Sequence, residues 1–301
     1  MILGNSLFTL QGRDYLSVSD LDRDELLALL DLAADIKAGR WREQPLAGKQ
    51  VAMVFQKPSM RTRVSFEVGI RRLGGSSVAL GEQDVQIGIR ETVADSARVL
   101  ERYVDLVVAR LRHHADLLQL AASARVPVVN ALTELEHPCQ VLADLLTIRE
   151  RCGSLQVPVV YVGDGNNMVT SLSQAHTLLG FPFTVVTPAG YEPAEAVRRA
   201  AAAMVVTNDA TAVAGAAAVY TDVWTSMGFE AEAERRRADF AGYQVDAALM
   251  GRAPGAVFLH CLPAHRGEEV ADEVIDGSAS AVFDQAENRL YTQMALLALI
   301  A

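Results

Sequence analysis

The chain alternates short apolar runs, rich in β-branched residues, with stretches of helical periodicity, and this alternation occurs in two series. A strand followed by a helix, repeated several times, is typical of a doubly wound parallel sheet with helices on both faces. A helix is expected over Asp22–Ala38, ahead of the first series, because Gly39 follows it as a stop signal. The strand-like runs of the first series are QVAMVF, SSVAL, DLVVAR and VPVVN, at residues 50–55, 76–80, 105–110 and 126–130.

The second series follows a long helix expected over Cys139–Arg151. Its strand-like runs are PVVYVGD, PFTVVTP, AAVYTDVW, GAVFLH and SAVFD, at residues 158–164, 182–188, 217–224, 255–260 and 280–284. The length of 301 residues also suggests about two domains. We therefore predict an α/β fold of two doubly wound parallel-sheet domains joined by inter-domain helices. The expected domains are residues 1–150 and 151–284, with a hinge at residues 153–157.

Charge and composition exclude two large classes of partner. The formal net charge is -10, whereas nucleic-acid binding needs an extended basic surface. No segment has the length of a membrane span, and residues 1–16 lack the basic and apolar regions of a secretory signal. We expect a cytoplasmic protein without a nucleic-acid or membrane partner. Cys139, Cys152 and Cys261 are odd in number and far apart, which fits neither a disulfide framework nor a zinc ribbon.

A cluster of cations and hydroxyls stands out in this acidic chain, in the stretch KPSMRTRVSFE. It lies at residues 57–67, between the expected strand 50–55 and an expected helix that ends before Gly74. Backbone N–H groups and the positive end of a helix dipole converge at such a junction, so it favours a phosphate. A solvated basic face is the alternative for any charge cluster. The cluster consists of Lys57, Ser59, Arg61, Thr62, Arg63 and Ser65.

Polar groups follow the other expected strands, at the carboxyl ends where parallel sheets bind ligands. Arg110 ends one strand. His137 and Gln140 open a helix, where an imidazole and a carboxamide can both hydrogen-bond a carbonyl group. The alternative for this HPCQ segment is structural, since Pro is well tolerated in a first helical turn. Asp222 ends another strand, and a carboxylate at a closed rim requires a cation, such as the ammonium group of a substrate.

Two motifs suggest ligands that their residues do not support. GDGNN, at residues 163–167, follows a strand, but the third glycine of a dinucleotide fingerprint would fall on Met168. Its two asparagines can instead bind a small zwitterion. His260, Cys261 and His265 have the side chains of metal ligands, but no nearby residue completes a set of four for zinc, so no metal is expected. A buried, inert thiol is the alternative for Cys261.

Taken together, seven motifs in this order resemble those of the aspartate/ornithine carbamoyltransferase family. They are SMRTR, the strand end at Arg110, HPCQ, GDGNN, DVWTSMG, HCLPAHRGEEV and FDQAENR. The resemblance implies that the first domain binds carbamoyl phosphate and the second an amino acid, with a terminal helix at about residues 285–301 returning to the first domain. It also implies a homotrimer with active sites between chains, and it leaves assembly beyond the trimer open.

The same resemblance implies roles for individual residues. The phosphate motif of the family more often has Thr where this chain has Met60, a position that can bind through its backbone N–H. Gln86 is the contact implied from a neighbouring chain. The implied carbamoyl phosphate contacts are Ser59, Met60, Arg61, Thr62, Gln86, Arg110, His137, Gln140, Cys261, Leu262 and Arg289. The implied ornithine contacts are Asn167, Asp222, Ser226 and Met227, and the implied catalytic residues are Arg61, Arg110, His137 and Cys261.

A carbamoyl transfer of this kind needs no metal or organic cofactor, and charge indicates which amine receives the group. The segment TDVWTSMG offers an anion and no cation, which disfavours aspartate, and an N-acylated ornithine would leave Asp222 unpaired. L-Ornithine is therefore the expected acceptor. Because its δ-ammonium is mostly protonated at neutral pH, Cys261 is the candidate to assist its deprotonation. The alternatives are a transferase for acetylornithine or putrescine, and a ligand-binding relative without catalysis.

Overall fold

The computed structural model describes residues 9–81, 87, 90–225 and 230–301, and it shows an α/β protein. The chain divides into two compact units. Unit 1 is Met1–Leu142 with Arg289–Ala301, and unit 2 is Ala143–Asn288. Three of the expected site residues, Gln86, Ser226 and Met227, lie outside the described residues.

Unit 1 contains, among its described residues, a parallel sheet of four strands in the order β2-β1-β3-β4. The strands are β1 (Gln50–Phe55), β2 (Ser76–Leu80), β3 (Leu106–Arg110) and β4 (Val128–Leu132). β3 and β4 are buried along their whole length, as in strands covered on both faces. The strand order reverses between β1 and β3, whose last residues, Phe55 and Arg110, stand in register. Ligands of open parallel sheets bind at this switch point.

The first two helices of unit 1 begin at residues that cap their backbones. Asp22 and Glu25 form a capping box at α1 (Arg23–Lys37), which confirms the predicted first helix. Ser59 caps α2 (Met60–Arg72), since its hydroxyl accepts the N–H of Thr62 at 3.4 Å. The cation cluster therefore lies at a junction of strand and helix, as predicted. The next two helices along unit 1 are α3 (Val93–Leu100) and α4 (His114–Ser123).

Unit 2 contains a parallel sheet with the order β7-β6-β5-β8-β9 in the part of the chain that the structure describes. The strands are β5 (Val159–Val162), β6 (Phe183–Val186), β7 (Val205–Thr207), β8 (Ala218–Thr221) and β9 (Val257–His260). The strand order reverses between β5 and β8, which places the ends of β5, β8 and β9 side by side. The helices are α6 (Asn167–Leu179), α7 (Glu195–Ala200), α8 (Ala233–Asp239), α9 (Ala247–Met250) and α10 (Asp272–Ile275).

Two long helices, α5 (Pro138–Cys152) and α11 (Val282–Ile300), each contain a boundary between the units. The C-terminal part of α11 packs on α2 in unit 1, where a Cβ atom on Gly69 would stand only 3.1 Å from Met294 Cγ. Further N-terminal on α11, Asn288 donates hydrogen bonds to Thr147 Oγ1 at 2.9 Å and to Glu150 Oε2 at 2.8 Å, within unit 2. None of the helices within the described residues is long and apolar enough to cross a membrane.

The prediction of a strand at SAVFD, residues 280–284, is wrong. Ser280 makes only an isolated bridge to Phe258, and α11 already begins at Val282. Gln285 donates its N–H to Ala281 O at 2.8 Å, which is the hydrogen bond of a helical turn. A short apolar run fits a strand and a buried helix start equally well, so periodicity did not separate them. Conversely, β7 was not predicted, because it has three residues and occupies a sheet edge.

Candidate active site

The N-terminus of α2 forms one part of a candidate anion site in unit 1. Met60 is exposed, Arg61 is half-buried and Thr62 is buried, so successive residues of this turn face different surroundings. The backbone N–H groups of a first helical turn have no partner within the helix and favour an anion. Arg63 is different, because its guanidinium forms an exposed ion pair with Glu67 at 2.9 Å. The solvated basic face therefore accounts for Arg63.

Arg110, His137, Gln140 and Arg289 supply buried polar groups elsewhere in unit 1. Arg289 on α11 donates from Nη1 to Gln140 Oε1 at 2.7 Å and from Nη2 to Thr62 Oγ1 at 3.0 Å. Three expected contacts from distant parts of the sequence thus meet in one hydrogen-bonded group. Arg110 closes β3 beside β1, at the switch point of the sheet. Arg110 stands where a strand ends, and His137 and Gln140 stand at the start of a helix, as their sequence motifs require, whereas Arg289 lies within α11.

The environment of His137 keeps its imidazole neutral. Burial lowers the pKa of His137 well below its ordinary value, and the nearby positive charges of Arg289 and Arg110 lower the pKa further. A neutral imidazole carries both a donor and an acceptor nitrogen, so it can donate one hydrogen bond to a carbonyl oxygen. Cys139, two residues later, is a structural thiol. Its Sγ donates to Asn130 O at 3.3 Å, and burial raises the pKa of the Cys139 thiol to about 12.

Unit 2 places a carboxylate and a thiol together at the ends of β8 and β9. Asp222 Oδ1 accepts the S–H of Cys261 at 3.0 Å, and Asp222 Oδ2 accepts an amide N–H of Asn166 at 2.9 Å. Asn166 also caps α6, because its Oδ1 accepts the N–H of Met168 at 2.9 Å. Asn167, the expected contact, is the first residue of α6. The sequence did not single out Asn166 as the partner of Asp222, although it stands in the same GDGNN motif.

Arg236 on α8 holds two of these segments in place, and sequence reasoning missed it. Its Nη1 donates to Asp164 Oδ2 at 2.8 Å and to Trp224 O at 2.9 Å. Burial raises the pKa of the Asp164 carboxyl, while its hydrogen bond with Arg236 lowers that pKa. Gly165 is required beside Asp164, because a Cβ atom there would lie 2.3 Å from Pro193 N. Arg236 therefore ties the GDGNN turn to the segment that follows Asp222.

The metal alternative for His260 conflicts with its hydrogen bonds. Asp222, His260 and Cys261 have potential ligand atoms within 4.8 Å of one another. However, His260 Nδ1 accepts the N–H of Leu262 at 2.8 Å, and Nε2 lies 3.1 Å from Glu269 Oε1. Both ring nitrogens already have protein partners, so the imidazole has no lone pair to give to a metal ion.

The fold and these residues define a class: an α/β protein of two units. One unit has a candidate anion site where strands end and helices begin, and the other has a carboxylate–thiol pair at its strand ends. Residues 13–150 match the family model described as aspartate/ornithine carbamoyltransferase, carbamoyl-P binding domain. Residues 155–300 match the model described as aspartate/ornithine carbamoyltransferase, Asp/Orn binding domain. The chain belongs to the aspartate/ornithine carbamoyltransferase family.

Relatives resemble the chain over nearly its whole length. The ornithine carbamoyltransferase of Symbiobacterium thermophilum is 53% identical over 307 residues, covering 97% of this chain and 99% of that protein. An ornithine carbamoyltransferase of Pyrococcus furiosus designated anabolic is 49% identical and covers 97% of each chain. A solved structure of ornithine carbamoyltransferase from Pyrococcus furiosus superposes with a TM-score of 0.93 at 50% identity, covering 97% of this chain and 98% of that one.

Proposed function

We propose that this protein transfers the carbamoyl group of carbamoyl phosphate to the δ-amine of L-ornithine, giving L-citrulline and phosphate. Membership of the family supports a carbamoyl transfer, and relatives of about half-identical sequence carry the name ornithine carbamoyltransferase. The observation that carries the choice of acceptor is the contact of 3.0 Å between Cys261 Sγ and Asp222 Oδ1. A carboxylate and a thiol together suit an amine substrate with a second ammonium group. The anabolic designation of one relative supports a place in arginine biosynthesis.

Unit 1 is the proposed carbamoyl phosphate domain, corresponding to residues 1–150 with the helix at about 285–301. In this proposal Arg61 and Arg110 bind phosphate oxygens through their planar, bidentate guanidinium groups. His137 donates to the carbonyl oxygen of the carbamoyl group, which its neutral state allows. The remaining proposed contacts within this unit are Ser59, Met60, Thr62, Gln140 and Arg289, and Gln86 is proposed to reach the site of a neighbouring chain.

Unit 2 is the proposed ornithine domain, corresponding to residues 151–284. Asp222 pairs with the α-ammonium of ornithine in this proposal, and Asn167 binds its carboxylate. Cys261 and Leu262 lie next to the reacting groups. The segment with Ser226 and Met227 completes the contacts to ornithine.

The carbamoyl transfer requires residues that assist the loss of a proton and residues that stabilise the negative charge on the carbonyl oxygen. The neutral δ-amine forms a C–N bond to the carbamoyl carbon, and the carbonyl oxygen gains negative charge. The C–O bond to phosphate then breaks, and the nitrogen loses a proton. His137 and Arg289 stabilise the oxygen, and one well-aimed donor of this kind contributes about 10²–10³ in rate. Cys261, with Asp222 as its hydrogen-bond partner, assists the earlier loss of a proton from the δ-ammonium group, which gives the neutral δ-amine that attacks.

We also propose a cytoplasmic homotrimer, in which a segment with Gln86 crosses to the next chain. A ring of this kind repeats one head-to-tail interface about a threefold axis. Native mass spectrometry gives the number of chains, and a monomer would contradict the proposal.

The proposal is tested by an acceptor panel with two matched variants. Purified protein is given carbamoyl phosphate with ornithine, acetylornithine, putrescine or aspartate, and the ureido product is measured. Only ornithine should give rapid turnover. Arg61→Ala should lower kcat/KM at least about 10²-fold, because a charge-assisted clamp on phosphate is lost. Arg63→Ala, two residues along the same helix, removes only an exposed ion pair and should be nearly unchanged.

Several outcomes would contradict the proposal. If another acceptor were turned over faster than ornithine, that acceptor would be the substrate. If no acceptor were turned over, a ligand-binding relative without catalysis would be favoured. Equal effects of the two arginine variants would contradict the phosphate site at the start of α2.

A further inference from the structure

The turn after β9, at residues 261–265, is held by hydrogen bonds to a single buried carboxylate, that of Glu269. The imidazole of His260 and the carboxylate of Glu269 are both fully buried, and His260 Nε2 lies 3.1 Å from Glu269 Oε1. The same oxygen accepts the backbone N–H of His265 at 2.6 Å. Glu269 therefore binds both sides of the turn: the side chain of His260, which ends β9, and the backbone of His265. Cys261 and Leu262 lie between these two points.

The backbone of Leu262 fixes the position of the proton on His260. Its N–H donates to His260 Nδ1 at 2.8 Å, and a backbone N–H can only donate. Nδ1 must therefore carry a lone pair, and the proton of the neutral ring is on Nε2. Nε2–H then donates to the carboxylate of Glu269. The alternative tautomer would place N–H against N–H at Nδ1 and two acceptors at Nε2, so it is disfavoured at both ends of the ring.

The tautomer of His260 with the proton on Nε2 stabilises an uncommon backbone conformation at Leu262. Leu262 has φ of 56°, in the left-handed region that side-chain-bearing residues rarely occupy. The hydrogen bond from its N–H to His260 Nδ1 stabilises that conformation. On the other side of the turn, the N–H of His260 donates to Gln285 Oε1 at 2.9 Å. The direction in which Cys261 points toward Asp222 is thus set by hydrogen bonds on both sides of it.

We propose that Glu269 is a positioning residue for the carbamoyl transfer. It holds His260 in the tautomer with the proton on Nε2. Through Nδ1, that tautomer shapes the turn that aims Cys261 at Asp222. Glu269 acts through His260 and does not touch a substrate. This inference rests on the proposed function, since it gives a role to Glu269 in the same site.

Two substitutions of Glu269 distinguish the effect of its hydrogen-bond acceptor oxygen from the effect of its negative charge. Glu269→Gln keeps an oxygen that can accept from His260 Nε2–H and from the N–H of His265. Glu269→Leu keeps the volume and removes the acceptor. Displacing a reacting group by about 1 Å costs about 10²-fold in rate. We therefore expect Glu269→Leu to lower kcat about 10-fold to 100-fold and Glu269→Gln to retain most of the activity.

The rescue variant tests whether Glu269 acts through His260. Asn carries a side-chain oxygen near the position of histidine Nδ1, and this oxygen accepts the N–H of Leu262 without help from residue 269. In the Glu269→Leu background, His260→Asn should therefore raise kcat again by several-fold. Glu268→Leu is the control, because the contacts that it removes are exposed: an ion pair with Arg237 at 3.0 Å and an approach of 3.8 Å to the imidazole of His265. Its kcat should stay within about twofold.

A spectroscopic readout is independent of activity. Protein labelled with ¹⁵N in histidine should show His260 with a protonated Nε2 and an unprotonated Nδ1, and His260→Asn identifies the signal. A proton on Nδ1 in the unaltered protein would overturn the inference even if Glu269→Leu fails to fold. So would unchanged kcat in a folded Glu269→Leu protein, or the absence of rescue by His260→Asn. Failure of the proposed function is distinguishable, because it appears as no carbamoyl transfer by the unaltered protein while the tautomer is as expected.

Discussion

Arg236 offers a prediction in which one substitution acts on stability and on substrate binding for the same reason. Its side chain is almost fully buried, and it donates to Asp164 Oδ2 at 2.8 Å, to Trp224 O at 2.9 Å and to Glu232 Oε2 at 3.2 Å. Its guanidinium also lies over the ring of Tyr191, 5.1 Å from the centroid. Arg236→Met keeps much of the apolar length and removes every one of these polar contacts.

The magnitude follows from the carboxylate that is left behind. Removing one partner of a buried ion pair costs about 3–5 kcal/mol, mostly because the remaining charge is buried alone. Asp164 fits this case, since burial is the largest influence on its pKa and raises it. We expect Arg236→Met to lower the free energy of unfolding by about 3 kcal/mol. The double variant Arg236→Met with Asp164→Asn buries no lone charge and should recover at least about half of that loss.

The pH dependence has a definite sign. Without Arg236, the pKa of Asp164 in the folded state rises further above that of the unfolded chain. The folded state then binds a proton more readily, so lowering the pH relieves the variant. The stability difference from the unaltered protein should be smaller at pH 5 than at pH 7.5. Urea unfolding at both pH values measures it.

Arg236→Met should raise KM for one substrate, ornithine, and leave KM for the other nearly unchanged. Arg236 connects the GDGNN turn with the segment after Asp222, both in the proposed ornithine domain. KM for ornithine should rise at least about tenfold, while KM for carbamoyl phosphate stays within about twofold. Arg235→Met is the control, because Arg235 is exposed and its ion pairs are 3.6 and 3.9 Å long. Equal destabilisation of the single and double variants, or a rise in both KM values, would refute the reasoning.

Two further predictions concern His137 and Gly165. Because the folded state lowers the pKa of His137 below the ordinary 6.5, the unfolded chain binds the proton first, and stability falls as pH drops below about 6.5, by up to about 1.4 kcal/mol per pH unit. His137→Gln should lose this part of the acid sensitivity, and equal slopes of urea midpoint against pH in both proteins would contradict it. Gly165→Ala places a Cβ atom 2.6 Å from Glu192 C, so it should destabilise unit 2 by about 1–3 kcal/mol and raise KM for ornithine. Thermal unfolding and steady-state kinetics measure both effects, and an unchanged melting temperature would exclude the clash.

Local signals predicted most of the fold. Gly39 as a stop signal predicted the end of the first helix correctly, because helix termination is a short-range interaction. The buried strands were recognisable as runs of β-branched residues. The error at SAVFD has a tertiary cause, since Ala281 donates its N–H to Phe258 O and the chain turns at once into α11. A five-residue apolar run contains no information about that partner.

The candidate site was predictable in its outline, and less so in its partners. Motifs placed Asp222 and Cys261 at the carboxyl ends of expected strands, but they predicted neither that these strands are neighbours nor the hydrogen bond between the two side chains. Arg236 and Asp164 are 72 residues apart, and nothing local to α8 distinguishes Arg236 from the arginines on either side. Glu269 was visible inside the HCLPAHRGEEV motif, yet only the buried geometry shows that it binds His260. The sequence therefore did not predict which side chains form hydrogen bonds across long distances in the chain.

In the proposed function, the two units divide the recognition of charge between them, and this division bears on which acceptor is used. Unit 1 carries the arginines proposed to bind carbamoyl phosphate: Arg61, Arg110 and Arg289. Their guanidinium groups suit the phosphate of this donor. In unit 2, Asp222 already accepts hydrogen bonds from Asn166, from the N–H of Val223 and from Cys261. These contacts fix the direction of the carboxylate before any substrate binds, so little reorganisation is required when an ammonium group arrives. An acceptor with a second carboxylate, such as aspartate, would instead meet a like charge held in a fixed orientation. Specificity for a diamino acid would then come from the repulsion of acidic acceptors as much as from attraction to ornithine.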